Sequence, residues 1–239
     1  MTELAAGPAR APRQGVLALE LPGLAGFADF VAGPNEELVA VLSAAPEAFR
    51  GVWLSGAPGS GRSHLLGALC DRAQQAGLRA VYVACGAPRW WAALEHAADS
   101  GDVVVLDDVG RAFEAAPTDL EALLFAVYER VRAAGGELCV AHTEAAAQIS
   151  VTMPDLRSRL LSLLHYHLAP LGDADKAALL TRRARRNGYA LDEAVIAYWL
   201  ARGPRDTGTL LADLARLEQA SLEDQRLVTV PLLKQVLGY

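Results

Sequence analysis

The chain has 239 residues, 52% of them apolar and 21% charged, and carries a formal charge of −6. That length favours one large domain, or a medium one with a small partner, and buries a sizeable core without disulfides or metals. The acidic balance gives no global basic field to draw the chain onto DNA or an anionic membrane, so direct sequence-specific DNA binding is not expected.

In chain order, Met1 to Gly15 is rich in Ala, Pro, Gly and Arg without an apolar core, and reads as a disordered arm rather than a signal peptide. A short apolar segment follows at 16–21, and Asn35 to Leu42 has helical spacing. Gly51 to Ser55 is a short apolar run stopped by glycine, a buried strand; Arg62 to Ala76 is a helix closed by Gly77. The alternation continues with a strand at 79–84, a helix at 90–98, a strand at 102–106, a helix at 119–134 and a strand at 137–141. Strands alternating with helices of this length predict an α/β fold, a parallel sheet with helices on both faces. From about Asp173 the pattern turns all-helical, over 173–187, 192–201, 206–222 and 230–237. Three of these begin with Asp, a preferred N-cap residue. The expected division is an arm at 1–21, an α/β domain at 22–171 and a helical subdomain at 172–239.

The segment Gly56-Ala57-Pro58-Gly59-Ser60-Gly61-Arg62-Ser63 follows a predicted strand and opens a predicted helix. It fits G-x-x-x-x-G-K-S/T except that Arg62 stands for lysine. Glycines let successive backbone N–H groups turn inward around phosphate oxygens, and the helix N-terminus favours an anion. Ser63 is the expected Mg²⁺ ligand and Arg62 the cation for the terminal phosphates. Arginine is larger, planar and differently hydrated, so the swap favours nucleotide binding over fast hydrolysis. Asp107 and Asp108 follow the strand at 102–106, where the C-terminal strand ends of a parallel sheet line the ligand crevice. Asp107 is assigned to the metal; Asp108 either orients the attacking water or caps the next segment.

The segments GAPGSGRSHLLGAL, VVVLDDV and PDLRSRL, with the helical tail, resemble the AAA+ region of the bacterial initiator DnaA. More specifically, GRSHLL with Arg62, DADKAALLTRRARRNGYAL and LARLEQASLEDQRLVTVPLLKQVL resemble the Hda family, shorter homologues that inactivate DnaA. The resemblance implies an AAA+ P-loop domain with a helical lid, an adenine nucleotide (ADP or ATP) with Mg²⁺, and DnaA and the DNA polymerase sliding clamp as partners. It also implies homo-oligomers, while the reading of the cysteines as reduced thiols and of the arm as no signal peptide points to a cytoplasmic location. Phe27, Phe30, Val31, Gly33 and Asn35 match the family's segment beside the adenine, and His64 joins the nucleotide-binding set. Arg159, in Ser158-Arg159-Leu160, matches the arginine that reaches into a neighbouring subunit's nucleotide, with Arg157 two residues away. His142 and Thr143 fall at the polar sensor of the γ-phosphate, or in a plain strand-end turn. The family's C-terminal sensor arginine aligns with Gly208, leaving Arg205 as the nearest cation. The clamp-binding motif Q-L-S/P-L-P-L is matched by Gln14, Leu17 and Leu19, with Gly15 in place of a leucine.

Arg182, Arg183, Arg185 and Arg186 form a basic cluster on one predicted helix, either a phosphate or partner contact or a solvated face. Cys70, Cys85 and Cys139 are widely spaced without a C-x-x-C pair, which points to reduced thiols rather than zinc or disulfides. No stretch approaches the roughly 18 apolar residues of a membrane span.

Overall fold

The structure, a computed structural model, describes residues 26–115, 117–224 and 226–238. The candidate clamp-binding residues Gln14, Leu17 and Leu19, and the apolar segment 16–21, lie outside the described residues. Five strands, β1 (Arg50–Gly56), β2 (Ala80–Ala84), β3 (Val103–Asp107), β4 (Glu137–His142) and β5 (Leu164–Leu168), form one sheet. Its order is β2-β3-β4-β1-β5, and every neighbouring pair is parallel.

The side-chain period of two explains both faces. Trp53, Val104, Leu106, Leu138 and Val140 point into one core cluster, packed by α3 (Trp90–Ser100), α5 (Leu120–Ala133) and α6 (Pro154–Leu161). Their neighbours Val52, Leu54, Val103, Val105, Cys139 and Ala141 point into the other, packed by α1 (Glu36–Ser43) and α2 (Arg62–Gln75). Burial on both sides is why these strands read as unbroken apolar runs. The short α4 (Gly110–Ala115) leads from β3 towards α5.

At the N-terminal strand ends, Glu137 is 1% exposed between two arginines. Arg50 donates from Nε to Oε1 at 2.8 Å, and Arg72 pairs with Oε2. Arg50 and Arg72 also donate to the Val41 and Ala44 carbonyls that end α1. The carboxylate is thereby held by charge-assisted bonds that outweigh its desolvation.

The remaining helices, α7 (Asp173–Arg186), α8 (Glu193–Arg202), α9 (Thr207–Asp224) and α10 (Val230–Leu237), share a third cluster around Trp199, Leu180, Leu210, Leu217 and Leu233. Asp192 and Asp206 cap α8 and α9 as expected, accepting from Ala194 N and Thr209 N, each at 2.7 Å. Asp173 does not cap α7: Gly172 occupies the cap, and Asp173 lies in the first turn, where its charge suits the helix dipole. The sequence expectations also leave out α4, α6 and β5. In β5, Leu164-His165-Tyr166-His167-Leu168 is an edge strand whose first four residues are partly or fully exposed, so it lacks the apolar run that marks its neighbours.

Candidate functional site

β1 delivers the glycine-rich loop at the C-terminal edge of the sheet, beside β4 and β5. Gly59 and Gly61 adopt φ of +75° and +101°, the left-handed region that side chains disfavour. A Cβ on Gly61 would also meet Phe30 Cε2 at 2.8 Å. Ala57 and Pro58 are exposed at the loop's tip. α2 then starts at Arg62 with no side chain capping its first N–H groups.

Two polar atoms of this loop are buried without a hydrogen-bond partner among the described residues: Ser60 Oγ and Arg62 Nη1. A buried guanidinium N–H without an acceptor is costly, and an anion supplying oxygens there would remove the cost. Uncapped helix amides, left-handed glycines and a buried guanidinium N–H without an acceptor are a donor set that fits phosphate.

The segment before α1 closes over this loop. Asn35, buried, donates to Ala32 O and Ala169 O (3.1 Å each) and accepts from Ala169 N (2.8 Å), tying the segment to the end of β5. Phe30 lies edge-on to His64, with ring centroids 5.4 Å apart, and Val31 is half-buried beside it. The basic face of α7 turns towards this same segment rather than only to solvent. Arg182 donates to Ala28 O (3.0 Å) and Phe30 O (3.2 Å), and Arg186 pairs with Asp29 at 3.7 Å.

α9 reaches the loop itself. A Cβ on Gly59 would lie 2.8 Å from Gly208 N and 2.9 Å from Gly208 Cα, so backbone packs on backbone. Arg205, the cation nearest to Gly208 in sequence, is exposed and pairs with Asp173 at 3.3 Å.

At the end of β3, Asp107 accepts a 2.6 Å hydrogen bond from the Tyr82 hydroxyl on β2. Ser63 interacts with that same hydroxyl, and burial together with the Asp107 charge pushes the phenol well above its ordinary range. Ser63 and Asp107, the two expected metal ligands, thus converge on one side chain that sequence reasoning missed. Among the described residues no three His, Cys, Asp or Glu cluster to hold a metal. Mg²⁺ here would therefore depend on Ser63, Asp107 and the phosphates themselves. Asp108 has φ +54°, an uncommon value for a residue with a side chain, and its carboxylate lies 3.5 Å from Arg111. Strain of this kind gathers at functional sites. His142 is buried, with Nδ1 accepting from Glu144 N at 2.8 Å and its ring against Gly110. That bond is a strand-end turn, and Thr143 beside it is exposed.

Arg159 stands apart from the loop, on α6. Its Nε donates to Glu129 on α5 at 2.9 Å, and its guanidinium lies 5.7 Å from the Tyr128 ring centroid. Arg157 is exposed on the same helix.

Comparison with known proteins gives this arrangement a fold, and its helical end a counterpart. Residues 173–237 match the family model described as Hda, lid domain. The fold is that of domain III of the Thermotoga maritima replication initiation protein DnaA, with a TM-score of 0.76 and 18% identity over 89% of this chain and 95% of that one. AMPPCP-bound DnaA from Aquifex aeolicus matches with a TM-score of 0.68 and 15% identity, over 85% of this chain and 68% of that one. The Thermotoga maritima RuvB Holliday junction branch migration motor matches at 0.58 and 18%, over 79% and 61%. Among the described residues no helix is long and apolar enough to cross a membrane. The parallel sheet with a phosphate-type loop after β1 thus has the fold of DnaA domain III, and the helical unit that follows it is similar to the Hda lid domain.

Proposed function

We propose that the chain is a nucleotide-bound regulator of replication initiation that acts with the sliding clamp to stimulate hydrolysis of DnaA-bound ATP. Arg159 acts in trans on the partner's nucleotide. The observation that carries this reading is the placement of Arg159: its contacts are with α5, and none of them reaches its own phosphate loop. A cation so placed serves a neighbour's phosphate, and such residues raise rates by roughly 10³–10⁵ in related systems.

The chain's own adenine nucleotide, ADP or ATP, is held by the loop from Gly56 to Ser63, with Arg62 on the phosphates and Phe30, Val31 and His64 beside the base. AMPPCP bound to the Aquifex DnaA supports the ligand class. Ser63 and Asp107 hold Mg²⁺, which neutralises phosphate charge when bound. Arg62 in place of lysine and Gly208 in place of the sensor arginine both favour holding nucleotide over turning it over. The protein works in the cytoplasm as a homo-oligomer and reaches DNA through the clamp, docked by Gln14, Leu17 and Leu19.

The test is hydrolysis of ATP pre-bound to DnaA, with the clamp on primed DNA, comparing the intact chain, Arg159→Ala and a deletion of residues 1–20. Stimulation by the intact chain that both variants lose establishes the regulator. No stimulation by the intact chain refutes it. A second reading, an independent small ATPase such as a helicase loader, draws on the convergence of Ser63 and Asp107 at Tyr82 and on the strained Asp108. It predicts turnover of ATP by the isolated chain that changes with DNA. A purified chain that carries no nucleotide would instead indicate a clamp-tethering adaptor.

A further inference from the structure

An arginine that acts on another subunit's phosphate has to arrive with its guanidinium plane already set. A long side chain left free loses rotamer entropy on contact, and small errors of placement are costly in rate. The chain carries two candidates on α6, and the structure treats them differently. Arg157 is exposed, with no ion pair or hydrogen bond from its side chain given by any described residue. Arg159 is fixed at two points, by Nε on the Glu129 carboxylate at 2.9 Å and by its Cζ over the Tyr128 ring, 5.7 Å from the centroid. Neither contact uses its terminal amino groups. Tyr128 is itself buried and packs edge-on against Phe49, so this support is rigid.

The helix that carries Arg159 is anchored from α5 as well. Glu121 accepts from Thr152 N (2.8 Å), Thr152 Oγ1 (2.9 Å) and Met153 N (2.6 Å), just ahead of α6. Desolvation works against its charge, but these bonds prevail and hold its carboxyl below the usual range. One helix therefore sets both the start of α6 and the arginine near its end.

We propose that Glu129 is a positioning residue for the trans-acting arginine. It holds Arg159 by Nε against Tyr128 and leaves the two terminal amino groups to a phosphoryl group on a neighbouring subunit's nucleotide. This rests on the reading of Arg159 given above. In the assisted reaction a water oxygen bonds the γ-phosphorus while the bond to the β,γ-bridging oxygen breaks. The electron pair leaves on ADP, and the water's proton passes to a base on the partner or to solvent; Arg159 contributes charge and no atoms. Since the role is a hydrogen bond to Nε, a neutral amide of the same shape should fill it.

The experiment is single-turnover hydrolysis of ATP on DnaA, with clamp on primed DNA, titrated with the full chain and with Arg159→Ala, Glu129→Ala and Glu129→Gln. Glu129 is 38% exposed, so its variants keep the fold, checked by thermal melting. Expected are loss of stimulation in Arg159→Ala and a fall of about tenfold or more in maximal rate for Glu129→Ala at an unchanged half-saturating concentration. Glu129→Gln should stay within about threefold of the parent. Glu129→Ala stimulating as well as the parent, or better, while Arg159→Ala fails, would overturn the positioning role and make the ion pair a restraint. A fall in Glu129→Ala that Glu129→Gln does not recover would overturn it too. Full stimulation by Arg159→Ala would sink the underlying reading instead, and the inference with it.

Discussion

The two ends of the sheet carry the same kinds of side chain and resolve them in opposite ways. At the N-terminal strand ends, the Glu137 carboxylate is locked between Arg50 and Arg72, and the arginines reach back to the carbonyls that end α1. At the C-terminal ends, Arg62 buries an N–H that meets no acceptor among the described residues, Ser60 buries a hydroxyl likewise, and Asp108 holds a left-handed backbone. The Glu137 carboxylate is answered on both oxygens within the chain and serves the fold, although Arg72 Nε beside it is buried without a partner among the described residues. The unanswered N–H of Arg62 differs in lying beside left-handed glycines and uncapped helix amides, a setting that suits an anionic ligand.

The contrast can be broken from either side. The largest effect is expected at the closed end: Glu137→Ala leaves two arginines without their shared acceptor and should destabilise the fold by about 3–5 kcal/mol in urea unfolding. Nucleotide affinity of the folded fraction should hardly change. Arg62→Ala should do the reverse, lowering affinity for ADP by about 10²-fold in equilibrium titration, which corresponds to about 2.7 kcal/mol. Its stability without nucleotide should not fall, and loss of the unanswered N–H should raise it by about 1 kcal/mol. A large loss of stability in Arg62→Ala would mean that the guanidinium serves the fold after all.

Each end also carries a buried thiol, and alkaline pH sharpens the comparison. Burial, aided by Asp71 and Glu137, pushes Cys70 from 9.0 up to about 12. Burial with Asp107 and Asp108 does the same for Cys85. The unfolded thiols ionise first, so the stabilising contribution is whole below pH 9.0 and is lost as pH rises towards about 12. The slope is about 1.4 kcal/mol per pH unit for each thiol. Replacing either cysteine with alanine should flatten the fall in melting temperature over that range, and an unchanged slope would contradict it. The smallest effect belongs to Tyr82→Phe, which removes the donor to Asp107 and should cost about 1 kcal/mol or less in stability. Its informative readout is the Mg²⁺ dependence of ADP affinity, expected to shift by several-fold; no shift would remove Tyr82 from the metal site.

What the sequence disclosed follows the same division. Strands buried on both faces, such as β1 and β3, announce themselves as apolar runs, and the phosphate loop is a local pattern whose glycines and helix start lie within eight residues. β5 hides because an edge strand with His165 and His167 exposed has no run to detect. Asp173 misled as a cap because Asp is equally at home one position later in the first turn. Tyr82 and Glu129 were invisible for a deeper reason. Each matters only through a partner supplied by another element, Asp107 on β3 or Arg159 on α6, and nothing in its own neighbourhood marks it. The basic face of α7 was ambiguous on the same ground, since only the fold brings Arg182 onto the carbonyls of Ala28 and Phe30.

The backbone contact between Gly59 and Gly208 has a consequence for how such chains can vary over time. A side chain added to Gly59 collides with position 208, and one added to Gly208 bears on the loop, so neither residue can drift alone without lifting α9 off the phosphate loop. Far apart in the chain, the two positions are sterically one constraint. A long side chain at 208 would be accommodated only with a shift of α9 or of the loop.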